Sequence, residues 1–305
     1  MVARGSVVTL GTFDGVHRGH EAVLAEVTRR AAASGSTSVL VTFDPHPLAV
    51  LNPAAAPKLL TLPEEKRALV TAQGVAQFVL MPFTPGVAQL DAEAFVGRLR
   101  AEFAMRELVM GFDHGFGRGR GGDVELVQRL AQQQGFGMTV VAAVRENGGG
   151  QPISSTLIRT AVAHGDLDAA ARWLGRSYGI RGTVVRGAGR GRTIGVPTIN
   201  LETPDPRKLL PPDGVYAVRV TIGKREAGSE KTYGGMMNQG PRPTFGEQAR
   251  ALEVHLFDFE GELYGETVDV AWVRRLRDGQ AFPSREALVA QLERDRQTAR
   301  ATLNR

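Results

Sequence analysis

Residues 7–20 read VVTLGTFDGVHRGH. The run VVTL has the composition of a short buried strand. A helical pattern, predicted over 20–33, follows almost at once. The residues between therefore sit where a strand hands over to a helix N-terminus. Such an end carries unpaired N–H groups and about half a positive charge, which makes it a natural anion site. Gly11 and Gly19 let the backbone approach a ligand without interference from a Cβ. His17 and His20 stand three apart and share one face. Three readings are open: imidazole N–H groups donating to phosphate oxygens, a zinc pair, or two structural histidines. No third metal ligand is evident and the chain has no cysteine, which weakens the second. Two histidines, glycines and Asp14 within ten residues exceed what packing alone asks for.

The same alternation continues outward. Strands are predicted at 38–43, 75–83, 107–113 and 137–144, with helices at 64–73, 91–103 and 123–134 and Asp91 as an N-cap. Short apolar strands separated by amphipathic helices predict a parallel sheet covered on both faces, with ligands at the carboxyl ends of its strands. GTFDGVHRGH, FDPHP and GFDHGFGRGR each follow a strand and so point at one rim. ENGGGQP (146–152) reads as a loop, and residues 153–175 as two short helices broken near Gly165–Asp166. After Gly175 the period changes to short runs of largely alternating polarity, the pattern of an antiparallel sheet or small barrel. One amphipathic helix is predicted over 284–303.

Bulk properties bound the function. At 305 residues the chain is long enough for two domains with separate cores. The absence of cysteine excludes a disulfide framework and a thiolate nucleophile. No apolar run approaches the roughly 20 residues of a membrane helix, and the first residues carry no separate apolar signal segment, so the expected address is cytoplasmic. A net charge of +5 suits anionic ligands. The basic residues are scattered and aromatics make up only 6 %, so a nucleic-acid partner is not expected. GRGRGG (117–122) matches a dinucleotide-binding G-x-G-x-x-G literally, but no acidic residue follows about twenty positions on. A glycine-rich loop near phosphates, or a mobile surface loop, accounts for it better.

GTFDGVHRGH resembles the HxGH-type signature of nucleotidyltransferases, in the form found in bacterial bifunctional riboflavin kinase/FAD synthetases. TFDPHP (42–47), GFDHGFGRGRGGD (111–123) and ISSTLIR (153–159) are similar to later motifs of that family in the same order. The resemblance implies that His17 and His20 hold ATP phosphates, with Gly11, Phe13 and Asp14 around the nucleotide. It places Ser154, Ser155, Thr156 and Arg159 on the triphosphate from the other side, and Asp113 in the nucleotide pocket. Many members carry Phe and a larger residue where this chain has His114 and Gly115.

In the second half, GTVVRGAGRGRTIGVPTINL (182–201) is the most informative stretch. Its glycines permit a turn that wraps a phosphate. Thr198 and Asn200, two residues apart on one face of an extended chain, offer the hard oxygen ligands that suit Mg²⁺. A glycine-rich hairpin ending in a Thr–Asn turn remains the plain alternative. No G-x-x-x-x-G-K-[ST] occurs. In LEVHLFDF, alternation sets Leu252, Val254 and Leu256 on one face, Glu253 and His255 on the other. The stretch 182–201 resembles the riboflavin kinase signature, and GVY (214–216), MNQGPRPTF (237–245) and LRDGQAF (276–282) are similar to further motifs of that domain. The resemblance implies Gly187, Gly191 and Arg192 at the nucleotide and Thr198 and Asn200 at metal and phosphates. It implies Glu253 as the base facing the riboflavin 5′-hydroxyl, and Arg277 and Gln280 at the flavin. Gly279, Ala281 and Val196 depart from the family pattern.

These implications combine into one expectation. A Rossmann-like α/β nucleotidyltransferase domain (1–177) precedes an antiparallel β-barrel riboflavin kinase domain with a C-terminal helix (178–305). The expected chemistry is riboflavin to FMN, then FMN to FAD plus pyrophosphate, with ATP as co-substrate, Mg²⁺ as metal and no covalent enzyme intermediate. The expected partners are small molecules, with no membrane and the oligomeric state open. The rivals are a chain in which the kinase half alone is active and a basic nucleic-acid-binding protein.

Overall fold

A computed structural model describes residues 5–187, 195–202, 205–223, 230–241 and 250–304. The chain divides into two compact units, Met1–Leu157 and Ile158–Arg305.

The first unit is built on five parallel strands: β1 (Ser6–Leu10), β2 (Thr37–Asp44), β3 (Gln77–Pro82), β4 (Met105–Gly111) and β5 (Gly137–Val141), ordered β3-β2-β1-β4-β5. Six helices lie within it: α1 (Arg18–Ser34), α2 (Pro47–Leu51), α3 (Pro63–Ala72), α4 (Pro85–Gln89), α5 (Ala92–Phe103) and α6 (Val124–Gln134). Alternate residues of β1 serve opposite cores. Val7 packs with Leu24, Val27 and Val70, while Val8 and Leu10 pack with Phe95, Leu99, Leu108 and Val127. Apolar side chains on both faces are what a sheet buried under two helical layers requires. The strand order reverses direction between β1 and β4, so the crevice at their carboxyl ends is the switch point where ligands bind in open α/β sheets.

Local chemistry explains the helix starts. Asp91 accepts from the Ala94 amide at 2.8 Å and Asp123 from Leu126 at 2.8 Å, each capping an otherwise unpaired donor. The structure trims several expectations. β4 stops at Gly111, leaving Asp113 in a turn, and β5 stops at Val141. The α2 and α4 helices, five residues each, fall below any readable periodicity. GRGRGG forms a short 3₁₀ turn over Arg118–Arg120, closed by a bridge between Phe116 and Gly122.

The unit division falls inside α7 (Ser155–His164), which α8 (Leu167–Leu174) follows. The second unit is a closed barrel of β6 (Gly179–Val185), β7 (Ile199–Leu201), β8 (Gly214–Ile222), β9 (Lys231–Pro241), β10 (Arg250–Leu256) and β11 (Thr267–Arg277), ordered β10-β7-β6-β11-β8-β9. Its neighbouring strands pair antiparallel. Tyr216, Trp272, Leu252 and Val254 are buried within it. The terminal helix α9 (Arg285–Leu303) packs Ala299, Leu292 and Leu303 with Ala217, Met236 and Phe257. That cover corrects the expected alternation along β8: its first five residues, Gly214–Val218, are all buried, because the helix hides the face that would otherwise meet water.

Candidate functional sites

In the first unit the turn after β1 is strained. Phe13 (φ 44°) and Val16 (φ 40°) occupy the left-handed region, which non-glycine residues rarely adopt, and Gly15 (φ 83°) lies between them. Such strain persists only where surroundings over-determine it, and it concentrates at functional sites. Here the surroundings are the segment entering α3. The Asp14 carboxylate accepts from the Leu60 and Thr61 amides at 3.0 and 2.9 Å, and the Gly15 amide donates to Thr61 Oγ1 at 2.9 Å. Asp14, expected at the nucleotide, is 1 % exposed and spends its carboxylate on this anchor.

The turn delivers the histidine pair. His17 caps α1, its Nδ1 accepting from the His20 amide at 3.4 Å. The His17 and His20 rings stack with centroids 3.7 Å apart, and the buried Phe13 ring lies 4.7 Å from His20. A second helix N-terminus arrives at the same turn. The Ser155 hydroxyl donates to the Asp14 carbonyl at 2.9 Å, and Ser154 accepts from the Leu157 amide at the head of α7. Thr156 is exposed and Arg159 half-buried further along α7. Two helix N-termini, two imidazoles and a strained glycine turn gather donors and positive potential at one place. Among the described residues no group of three or more His, Cys, Asp or Glu could hold a metal ion, so the zinc reading finds no ligand set there.

Across the crevice, a cavity of about 310 Å³ is lined by Phe112, Asp113, His114, Arg120 and Asp123. The His114 ring lies against Gly11, where a Cβ would come within 3.1 Å of it. Its Nε2 is sealed from solvent and has no hydrogen-bond partner among the described residues. Burial, reinforced by the Arg120 cation and opposed by Asp113, pushes the His114 pKa down to about 4. Asp113 itself is exposed, and its carbonyl accepts from Arg120.

In the second unit the site is made by register. Glu253 on β10 stands directly opposite Asn200 on β7 and opposite Asn238 on β9. Opposed residues of antiparallel strands share a face, so the three polar side chains form one row. Leu252, Val254 and Leu256 turn into the core, as the alternation predicts. The Gly187 backbone lies so close to the Asn200 amide that a Cβ would fall inside van der Waals contact, so any larger residue would have to push that amide aside. His255 Nδ1 is 2.7 Å from the Pro197 carbonyl, which fastens the chain just before Thr198 to β10. Gly191 and Arg192 lie outside the described residues. Arg277 pairs through Nε and Nη2 with the buried Asp295 at 3.0 and 2.7 Å, tying β11 to α9, and Gln280 is exposed. The Leu60–Thr61 anchor and the place of Asn238 in the polar row are not legible in the sequence. Asn238 falls within MNQGPRPTF, but its partnership with Glu253 exists only once strands pair.

The α/β fold with its HxGH turn is that of a nucleotidyltransferase-type unit, and the polar row marks a second candidate site on a barrel. Comparison with known proteins agrees. A model of the FAD synthetase family matches residues 1–157, and a riboflavin kinase model matches 174–303. Curated relatives described as bifunctional riboflavin kinase/FMN adenylyltransferase include one from Pseudomonas fluorescens, 38 % identical over 98 % of this chain and 93 % of its own. Another, from Listeria monocytogenes, is 36 % identical over 97 % of this chain and 91 % of its own. The chain belongs to the bifunctional riboflavin kinase/FMN adenylyltransferase family. A crystal structure from Streptococcus pneumoniae, described as a macrolide-efflux protein, is similar over 98 % of this chain and 95 % of that one, with TM-score 0.84 and 35 % identity. Among the described residues no helix is long and apolar enough to cross a membrane.

Proposed function

We propose that the barrel unit phosphorylates riboflavin with ATP and the α/β unit adenylylates the resulting FMN, with the functional boundary near 177/178. The observation that carries this reading is the presence of two unlike polar clusters, one in each unit: the stacked His17–His20 pair under a strained turn, and the Asn200–Glu253–Asn238 row. In the barrel, Glu253 takes the proton of the riboflavin 5′-hydroxyl as that oxygen attacks the γ-phosphorus of ATP and ADP leaves. Thr198 and Asn200 supply a hydroxyl and an amide oxygen, donors that fit Mg²⁺, whose contribution when bound is to neutralise phosphate charge. The missing side chain at Gly187 leaves room for the Asn200 amide. In the α/β unit a phosphate oxygen of FMN attacks the α-phosphorus of ATP and pyrophosphate leaves. His17, His20, the amides of the turn, Ser154, Ser155, Thr156 and Arg159 bind and neutralise the triphosphate, with no covalent intermediate on the protein. The Asp113–Asp123 cavity receives part of the nucleotide or flavin. Arg277 acts by ordering the loop before α9 through Asp295, next to Gln280 at the flavin. The reactants are small molecules in the cytoplasm, without a nucleic-acid partner.

The test is chromatography of flavins after incubation with riboflavin, ATP and Mg²⁺. FMN is expected first and FAD after it, and supplied FMN is expected to give FAD directly. Riboflavin left untouched, with no ATP consumed, would sink the proposal.

A further inference from the structure

Lys66 is a buried lysine that neither motif contains. It lies in α3, 6 % exposed, and its Nζ donates to the Thr12 carbonyl at 2.6 Å and to Thr42 Oγ1 at 3.3 Å. The Thr42 hydroxyl itself donates to the same Thr12 carbonyl at 3.0 Å. One ammonium thus ties the turn after β1 to the carboxyl-terminal half of β2. Burial draws the Lys66 pKa down, while the carboxylates of Asp14 and Asp44 oppose that shift. An ammonium in a dry interior is expensive unless charge partners and acceptors compensate it. Packing α3 against the sheet calls only for apolar side chains such as Val70.

Peptide planarity shows what the clamp does. In a trans peptide the C=O and the following N–H point in opposite directions. With the Thr12 carbonyl drawn inward onto Lys66 and Thr42, the Phe13 N–H points away from the core. Phe13 is also the first of the left-handed residues of the turn. We propose that Lys66 is a positioning residue for adenylyl transfer: it holds the Thr12–Phe13 peptide so that the Phe13 amide faces a phosphate oxygen of the nucleotide beside His17 and His20. This rests on the α/β unit being the adenylyltransferase half, and it assigns Lys66 no contact with substrate.

The test uses the full chain with Lys66→Met, which keeps the apolar stem, Lys66→Gln, which keeps a neutral donor, and Lys66→Ala. Removing a donor aimed at developing charge lowers kcat by about 100-fold, so Lys66→Met is expected to lose adenylyl transfer on that scale while riboflavin phosphorylation by the same molecule is unchanged. Lys66→Gln is expected to fall between it and the unmodified chain. Propylammonium is expected to recover part of the loss in Lys66→Ala, and propanol none, because the missing element is a charge and not a volume. Calorimetric binding of inorganic pyrophosphate needs no turnover and is expected to weaken about tenfold or more in Lys66→Met, the scale of a hydrogen bond to a charged group. The proposal is overturned by unchanged pyrophosphate affinity, by adenylyl transfer retained in Lys66→Met, by absence of rescue, or by loss of the folded α/β unit in all three variants. An unmodified chain that makes no FAD from FMN would instead sink the adenylyltransferase reading, and the pyrophosphate measurement would still decide the role of Lys66.

Discussion

The two units assemble their sites by opposite means. In the α/β unit the central residues, Gly11 to His20, are contiguous, and the backbone carrying them is strained at Phe13 and Val16. Residues far away in sequence, Thr61, Lys66 and Ser155, hydrogen-bond to that turn. In the barrel the residues of the proposed site, Asn200, Asn238 and Glu253, are scattered along the chain, yet none has a positive φ. Ordinary strand geometry lines them up through register. The first site is therefore local in sequence and non-local in support; the second is non-local in sequence and supported by the sheet itself. A turn held against its conformational preference depends on every anchor, whereas a register row depends on its own side chains and on close approaches such as Gly187 to Asn200.

The largest expected effect falls on the barrel. Glu253→Gln preserves shape but removes the carboxylate, and loss of a general base lowers the rate by roughly 100- to 10,000-fold. FMN formation is expected to stop on the assay timescale while supplied FMN is still converted to FAD. His20→Ala is the mirror experiment. Removing one donor to the phosphates lowers turnover by about 100-fold or more, so FMN should accumulate and FAD should not. Flavin chromatography reads both. If either substitution abolishes both activities in a folded chain, the contrast between two independent sites breaks.

Gly187→Ala sharpens the contrast at smaller scale. The added methyl has to displace the Asn200 amide, since the glycine backbone already touches it. Misplacing a positioning group by about 1 Å costs up to 100-fold, and an amide at the end of a side chain can give way, so a loss of about tenfold in riboflavin phosphorylation is expected. A kinase rate equal to that of the unmodified chain would show that Asn200 is not held from this side.

How much was readable beforehand follows from the same contrast. The order of β1 to β5 and of the longer helices between them was legible because each strand is a short apolar run followed by an amphipathic helix, one of them with the cap expected at Asp91. The histidine pair was legible because its residues are neighbours. The support beneath it was not: Lys66 looks like any helical lysine until its Nζ is found under Thr12. In the barrel, alternation in LEVHLFDF put Glu253 and His255 on one face, but nothing local says that Glu253 faces Asn200 and Asn238. Likewise β8 lacks the expected alternation because α9, some 65 residues later, covers its outer face. Local chemistry survives in a single sequence; pairing register and burial by distant elements do not.

The smallest effect concerns His114 and separates the halves by their response to acid. Its ring nitrogen Nε2 is sealed from solvent, its ring edge lies beside Gly11, and burial beside Arg120 pulls its pKa down to about 4 from an ordinary value near 6.5. Between these values the unfolded chain binds a proton that the folded chain refuses, so stability falls as pH drops from about 6.5 to about 4 and the slope ends below that. At about 1.4 kcal/mol per unit, the α/β unit loses at most roughly 3.5 kcal/mol through this residue. His114→Phe removes the titrating group, so its urea midpoint is expected to converge on or overtake that of the unmodified chain as pH falls from 7 to 4.5. The barrel's stability should be indifferent to the substitution. Carboxylates elsewhere also titrate in this range, but they are common to both chains, and the difference between the two isolates His114. Midpoints that run parallel across the whole interval would mean that the imidazole protonates freely in the folded state, and that the crevice beside Gly11 is wetter than the packing around Nε2 implies.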